Sequence, residues 1–154
     1  MSATRIAPMP EIQSCVLLAE DDGELRSLLA QALRRDGHRV IEASDGSELL
    51  EQIASDFVDE GGLAGIDVVV SDIRMPGWTG MNVLFGLRNA GCEVPVILIT
   101  AFGEQQTHDT ARKLGAACVL DKPFDIDVLR QTVARVLAEE ARAPGVIFPG
   151  TKEK

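Results

Sequence analysis

No apolar stretch of this sequence approaches the roughly twenty residues that a membrane helix needs, and residues Met1 to Gln13 lack the basic flank and apolar core of a secretory leader. No membrane association is expected, and a cytoplasmic location is the default. Basic residues are scarce as well, with 15 Lys and Arg against 24 Asp and Glu and a net charge of −9. Nucleic-acid phosphates are held by clustered Lys and Arg, so direct nucleic-acid binding is not expected. The cysteines Cys15, Cys92 and Cys118 are odd in number and widely spaced. They suit reduced core or near-core positions and neither a disulfide frame nor a zinc site. There is no G-x-x-x-x-G-K-[ST] loop and no G-x-G-x-x-G opening a helix after the first strand, which disfavours nucleotide enzymes.

The sequence does contain enough residues, 154, for one domain with a substantial core, at an ordinary 45% hydrophobic and 25% charged. Residues 1–14, with Pro8 and Pro10, form a flexible lead-in, residues 15–141 the domain, and residues 142–154 a tail. Cys15 to Ala19 is a short apolar run ending on Glu20-Asp21-Asp22. Leu25, Leu28, Leu29, Ala32 and Leu33 then recur at helical spacing until Gly37, and Asp22 suits the cap of that helix. Arg39 to Ala43 reads as a strand, and Ser44-Asp45-Gly46 caps a helix carrying Leu49, Leu50, Ile53 and Phe57. Val58 to Gly65 reads as an extended, flexible loop.

Ile66, Val68, Val69 and Val70 form a run that stops on Ser71-Asp72, followed by Ile73-Arg74-Met75-Pro76-Gly77. A helix on Val83, Leu84 and Leu87, a strand Val96–Thr100, a weakly patterned helix in Gly103–Leu114 and a short strand at Cys118–Leu120 follow. The last helix, capped by Asp125, carries Val128, Leu129, Val133, Val136 and Leu137. Five strands alternating with five helices predict a doubly wound parallel sheet with helices on both faces.

Functional side chains stand at the carboxyl ends of these strands: Glu20 and Asp21, then Asp72, Thr100 and Lys122. In such a sheet those ends share one rim, where ligands bind. If the first and third strands are neighbours, three carboxylates converge, and each raises the pKa of the others unless cations compensate. Lys122 supplies one cation, and a hard divalent ion such as Mg2+ suits the oxygen donors. A carboxylate beside such an ion is competent to attack a phosphoryl group, with Thr100 donating to one of its oxygens.

Leu17-Leu18-Ala19-Glu20-Asp21-Asp22, Asp72-Ile73-Arg74-Met75-Pro76-Gly77 with Gly80, Ile99-Thr100-Ala101 and Asp121-Lys122-Pro123-Phe124 together resemble the receiver domain of two-component response regulators, over roughly Cys15 to Glu140. The resemblance implies a stand-alone flavodoxin-like (βα)5 receiver with strand order 2-1-3-4-5. It further implies that Asp72 is the phospho-acceptor, that Glu20, Asp21, Asp72 and the Arg74 carbonyl hold Mg2+, that Thr100 is the switch hydroxyl and Lys122 the ion-pairing lysine, and that Lys122–Pro123 is cis. The chain is expected not to be a turnover enzyme beyond self-phosphorylation and slow autodephosphorylation. Its expected partners are a sensor histidine kinase or histidine phosphotransfer protein and a downstream protein, with a monomer or a phosphorylation-dependent homodimer.

Departures from the family pattern carry expectations of their own. The switch aromatic of the family sits three residues before the lysine, where this chain has Val119, so output must use backbone shifts or other side chains. Asp59 to Gly65 reads as an insertion, and Arg74 and Phe102 occupy positions that in the family line the route of attacking water. His38 and His108 read as surface or loop residues and Trp78 as a partner contact or loop packing. Phe124, Ile126 and Arg130 are candidate partner contacts, and Val146-Ile147-Phe148 a docking or linker segment. A phosphatase of the haloacid-dehalogenase type needs an aspartate two residues after the nucleophile, where Arg74 stands. The alternative function is a pseudo-receiver, an interaction module that signals without phosphorylation.

Overall fold

The computed structural model describes residues 13–58 and 62–141. The expected lead-in to residue 12, the tail from residue 142 with Val146-Ile147-Phe148, and residues 59–61 of the expected insertion lie outside the described residues. Five parallel strands form the sheet: β1 (Cys15–Ala19), β2 (Arg39–Ala43), β5 (Val68–Asp72), β6 (Val96–Thr100) and β7 (Cys118–Asp121), in the order β2-β1-β5-β6-β7. Counting these five alone, the order is the expected 2-1-3-4-5. The helices are α1 (Gly23–Arg35), α2 (Gly46–Asp56), α3 (Gly80–Asn89), α4 (Gln105–Lys113) and α5 (Ile126–Ala141).

Side chains alternate across a strand, and here both faces are dry. Val16 and Leu18 of β1, Val68 and Val70 of β5, and Ile97 and Ile99 of β6 pack with Leu29 and Leu33 of α1 and Leu129 and Val133 of α5. Leu17, Val69 and Leu98 face the other way, toward Leu49 and Ile53 of α2 and Val83, Leu84 and Leu87 of α3. This is why β1, β5 and β6 read as unbroken apolar runs. Cys15 and Cys92 are buried, Cys118 is half-buried, and all three thiols are free.

Helix starts follow the sequence chemistry. Asp22 accepts from the Glu24 and Leu25 N–H groups at 3.0 and 3.1 Å, and Asp45 accepts from Glu48 N–H at 2.9 Å. Thr79 and Asn82 cap α3 reciprocally.

Three readings of the sequence are corrected. Helix α2 ends at Asp56, and Phe57 starts the short strand β3 (Phe57–Val58), which pairs antiparallel with β4 (Gly62–Leu63) where an extended loop was expected. The Asp56 carboxylate is the cause, because it accepts from the Gly65 and Ile66 N–H groups, each at 2.8 Å, and folds the segment back onto the helix end. Leu28, counted in the buried stripe of α1, is 52% exposed because the face against the sheet is centred on Leu29, Ala30 and Leu33. Val128 of α5 is likewise exposed, while Thr132 is buried and its hydroxyl donates to the Val128 carbonyl.

Candidate functional site

The carboxyl ends of β1, β5, β6 and β7 deliver the site. Strands β1 and β5 pair directly, with Ala19 opposite Ser71, so Glu20 and Asp72 leave adjacent strand ends side by side. One carboxylate oxygen from each of Glu20, Asp21 and Asp72 lies within 4.8 Å of the others. Glu20 and Asp72 are buried and Asp21 is exposed. Lys122 Nζ lies 2.6 Å from Asp72 Oδ2 and 3.2 Å from Glu20 Oε1. Thr100 is buried at the end of β6, where its Oγ1 accepts from the Phe102 N–H at 3.0 Å. The Lys122 N–H donates to the Thr100 carbonyl, and Lys122–Pro123 is cis. All the expected side chains are therefore brought to one rim.

The surrounding backbone fixes the two buried acids. Asp72 Oδ1 accepts from the Arg74 N–H at 3.0 Å, and Glu20 Oε2 accepts from the Asp22 N–H at 3.1 Å. Gly80 lies so close to β5 that a Cβ there would sit 2.6 Å from the Asp72 carbonyl oxygen and 2.9 Å from Ser71 Oγ. The Arg74 guanidinium stacks 4.5 Å from the centre of the Phe102 ring, joining the loops after β5 and β6.

Burial pushes the Glu20 carboxyl up to about 6 against the pull of the Asp22 N–H, while the Asp72 charge adds to the rise and Lys122 opposes it. Burial also works against the Lys122 ammonium, but the hydrogen bond and charge of Asp72, with those of Glu20, outweigh it and hold its pKa above the ordinary lysine value. Glu20 is thus a buried acid paired less well than its position demands.

Its outer oxygen shows what is missing. Glu20 Oε1 is buried without an aligned donor; Lys122 Nζ is near enough for an ion pair but lies off the hydrogen-bond direction. A buried acceptor in that condition is costly unless something with positive charge meets it. Three converging carboxylate oxygens fit a hard, oxygen-seeking dication such as magnesium.

A pH dependence follows for the metal-free protein. Glu20 binds its proton more tightly folded than unfolded, so the stability it contributes is complete below about pH 4.5 and is lost as pH rises through about 6. Glu20→Gln is expected to flatten that fall in thermal unfolding with chelator between pH 4.5 and 7. An unchanged slope would contradict the assignment.

Sequence reading missed some of the site. Arg26 Nη1 donates to the Glu20 carbonyl at 2.7 Å and Arg26 Nε meets Glu42 at 3.3 Å, bracing the acidic turn from α1. His108 lies on α4 and not in a loop, and it meets Asp121 at the end of β7. Neither pairing has a local signal, since each depends on which elements become neighbours. Trp78 is 51% exposed, while its backbone packs against Gly46 of α2, so the residue has one role in loop packing and an outer face left open.

Comparison with known proteins agrees with this architecture. The sequence matches the response regulator receiver domain over residues 16–134. It is 39% identical over 127 residues to the C4-dicarboxylate transport transcriptional regulatory protein DctD of Pseudomonas aeruginosa, covering 82% of this chain and 26% of that one. It is 37% identical over 123 residues to the transcriptional regulatory protein CpxR of Escherichia coli K12, covering 80% and 47%. With sporulation initiation phosphotransferase F of Bacillus subtilis the identity is 28% over 122 residues, covering 79% and 92%. The chain spans about a quarter of the first relative, half of the second and nearly all of the third.

Among solved structures, the receiver domain of the Francisella response regulator 1452 superposes with a TM-score of 0.75 at 28% identity, over 83% of this chain and 99% of that one. Chemotaxis protein CheY4 of Vibrio cholerae gives 0.68 at 26% identity, over 80% and 98%. Among the described residues, no helix is long and apolar enough to cross a membrane. The acid-rimmed parallel sheet and the sequence match together place the chain in the receiver-domain family of two-component response regulators, whose members take a phosphoryl group on aspartate with Mg2+.

Proposed function

We propose that Asp72 is the phospho-acceptor of this receiver and that its phosphorylation switches the binding of a downstream protein. The observation that carries this reading is the convergence of Glu20, Asp21 and Asp72 with Lys122 held 2.6 Å from Asp72 Oδ2. Glu20, Asp21, Asp72 and the Arg74 carbonyl would hold Mg2+, which when bound offsets charge on the transferring phosphoryl oxygens.

The chain's own residues do the rest. A carboxylate oxygen of Asp72 attacks phosphorus, a new O–P bond forms, and the bond to the donor breaks with its electron pair leaving on the donor. Phosphohistidine of a sensor kinase or phosphotransfer protein is the donor class, and the imidazole is the leaving group. Lys122 balances charge on the oxygens gained by Asp72, and the Thr100 hydroxyl turns toward one of them. No other turnover is assigned to the site. In this reading the chain is a cytoplasmic signalling module.

Arg74 and Phe102 stack across the loops that follow Asp72 and Thr100, and in this reading the stacked pair restricts the approach of water to phospho-Asp72. Arg74→Asn and Phe102→Ala are each expected to shorten the lifetime of the phosphorylated protein several-fold, as followed by intact mass after removal of the donor. Unchanged lifetimes would contradict this role.

The function itself is tested by incubating the protein with acetyl phosphate and magnesium. A gain of one phosphoryl group per chain that disappears on chelation is expected. No uptake under any magnesium concentration would overturn the reading in favour of a pseudo-receiver.

A further inference from the structure

Past Thr100 the chain is fastened to the neighbouring strand by one side-chain pair. His108 Nε2 on α4 lies 2.9 Å from Asp121 Oδ1 at the end of β7, and Asp121 is the register partner of Thr100. Gly103 sits against the same carboxylate, so that a Cβ there would overlap Asp121 Oδ1 and lie 3.1 Å from His108 Nε2. The loop after β6, the helix α4 and the end of β7 meet at this spot. Among the described residues, no other side-chain hydrogen bond or ion pair joins α4 to β7.

The spot is also wired to the acceptor site. Thr100 Oγ1 accepts from Phe102 N–H, the Phe102 carbonyl accepts from Glu104 N–H, and the Glu104 carbonyl accepts from His108 N–H. Turning the Thr100 hydroxyl therefore disturbs a short chain of contacts ending at His108. Val119 supplies no aromatic ring for this connection, so it has to be carried by other groups.

We propose that His108 and Asp121, seated against Gly103, form a latch that holds residues 101–104 and the start of α4 in the phosphoryl-free arrangement and opens when Thr100 turns to the phosphoryl group. The latch rests on the reading of Asp72 as acceptor. A contact made in one state only opposes the other state by its own worth. The Asp121 side chain is 53% exposed, which keeps that worth small. Removing the pair is expected to favour the phosphoryl-bound state about three- to tenfold.

The test is titration of the full chain with magnesium and beryllofluoride, a phosphoryl mimic, read by the fluorescence of the single tryptophan, Trp78. His108→Ala and Asp121→Ala are each expected to bind about three- to tenfold more tightly than wild type, and the double variant no more tightly than either single one. Unchanged or weaker binding in both single variants overturns the latch, and a fold that is merely loosened gives no gain in affinity. If His108→Ala fails to fold, Asp121→Ala carries the comparison. If wild type does not bind the mimic at all, the acceptor reading fails and the latch falls with it, whereas wild-type binding with unchanged variants overturns the latch alone.

Discussion

Lys122→Ala is expected to slow phosphoryl uptake from acetyl phosphate by about two to three orders of magnitude, the effect of removing one preorganised charge from a transition state. Lys122 Nζ contacts Asp72 Oδ2 at 2.6 Å and Glu20 Oε1 at 3.2 Å, and it is held there by β7, whose register sets Asp121 beside Thr100. Without the ammonium, Glu20, Asp21 and Asp72 face one another with less compensation, and the oxygens arriving on Asp72 lose a charge partner. Lys122→Arg keeps the charge but presents a planar fork in place of a compact ammonium, and it is expected to recover only part of the rate. The measurement is the time course of the one-phosphoryl mass gain, with thermal unfolding as a check on the fold. A wild-type rate in Lys122→Ala would contradict the assigned role.

Gly46→Ala is expected to destabilise the fold by about 1–3 kcal/mol, the ordinary cost of overpacking. A Cβ at Gly46 would run into the backbone nitrogen and oxygen of Trp78 and sit 2.7 Å from its carbonyl carbon, and backbone cannot swing aside as a side-chain end can. The Gly46 N–H also donates to the Pro76 carbonyl, so the start of α2 is fastened to the loop that follows Asp72. At roughly 2–4 °C per kcal/mol for a chain of this size, the unfolding midpoint should fall by several degrees. Trp78 emission should shift as the loop is displaced. Gly86→Ala on α3 is the control, because a Cβ there meets nothing within 4 Å and helix propensity favours alanine. Equal midpoints for the two variants would contradict the close packing at Gly46.

The positions of the acids were readable because a buried strand leaves a plain mark in sequence. Val68, Val69 and Val70 are dry on both faces, and the run ends at Asp72, where the strand reaches the rim of the sheet with its carboxylate still buried. The same logic located Glu20 and Thr100. Sheet order and individual roles came from the resemblance of four motifs to a family, since periodicity says nothing about which strands become neighbours. What stayed hidden depended on such neighbours. Arg26 reaches the Glu20 carbonyl only after α1 folds back over β1, and His108 reaches Asp121 only through the pairing of β6 with β7.

The hairpin of β3 and β4 escaped notice for a different reason. Its glycines and acids look like a loop, and the contact that closes it runs from the Asp56 carboxylate, just before β3, to the Gly65 and Ile66 N–H groups beyond β4. Leu28 shows the limit of a helical stripe read by spacing alone. Spacing gives the period of the apolar face but not its centre, which here falls on Leu29, Ala30 and Leu33 and leaves Leu28 outside it. That leaves Leu28 beside Arg35 and Arg130 on a shallow surface shared by α1 and α5.

The central claim is that one carboxylate, Asp72, receives the phosphoryl group. Peptide mapping by mass spectrometry after treatment with acetyl phosphate and magnesium tests it most directly. The added mass should lie on the peptide containing Asp72 and be absent from Asp72→Ala. The same mass on another peptide, or its persistence in Asp72→Ala, would contradict the account.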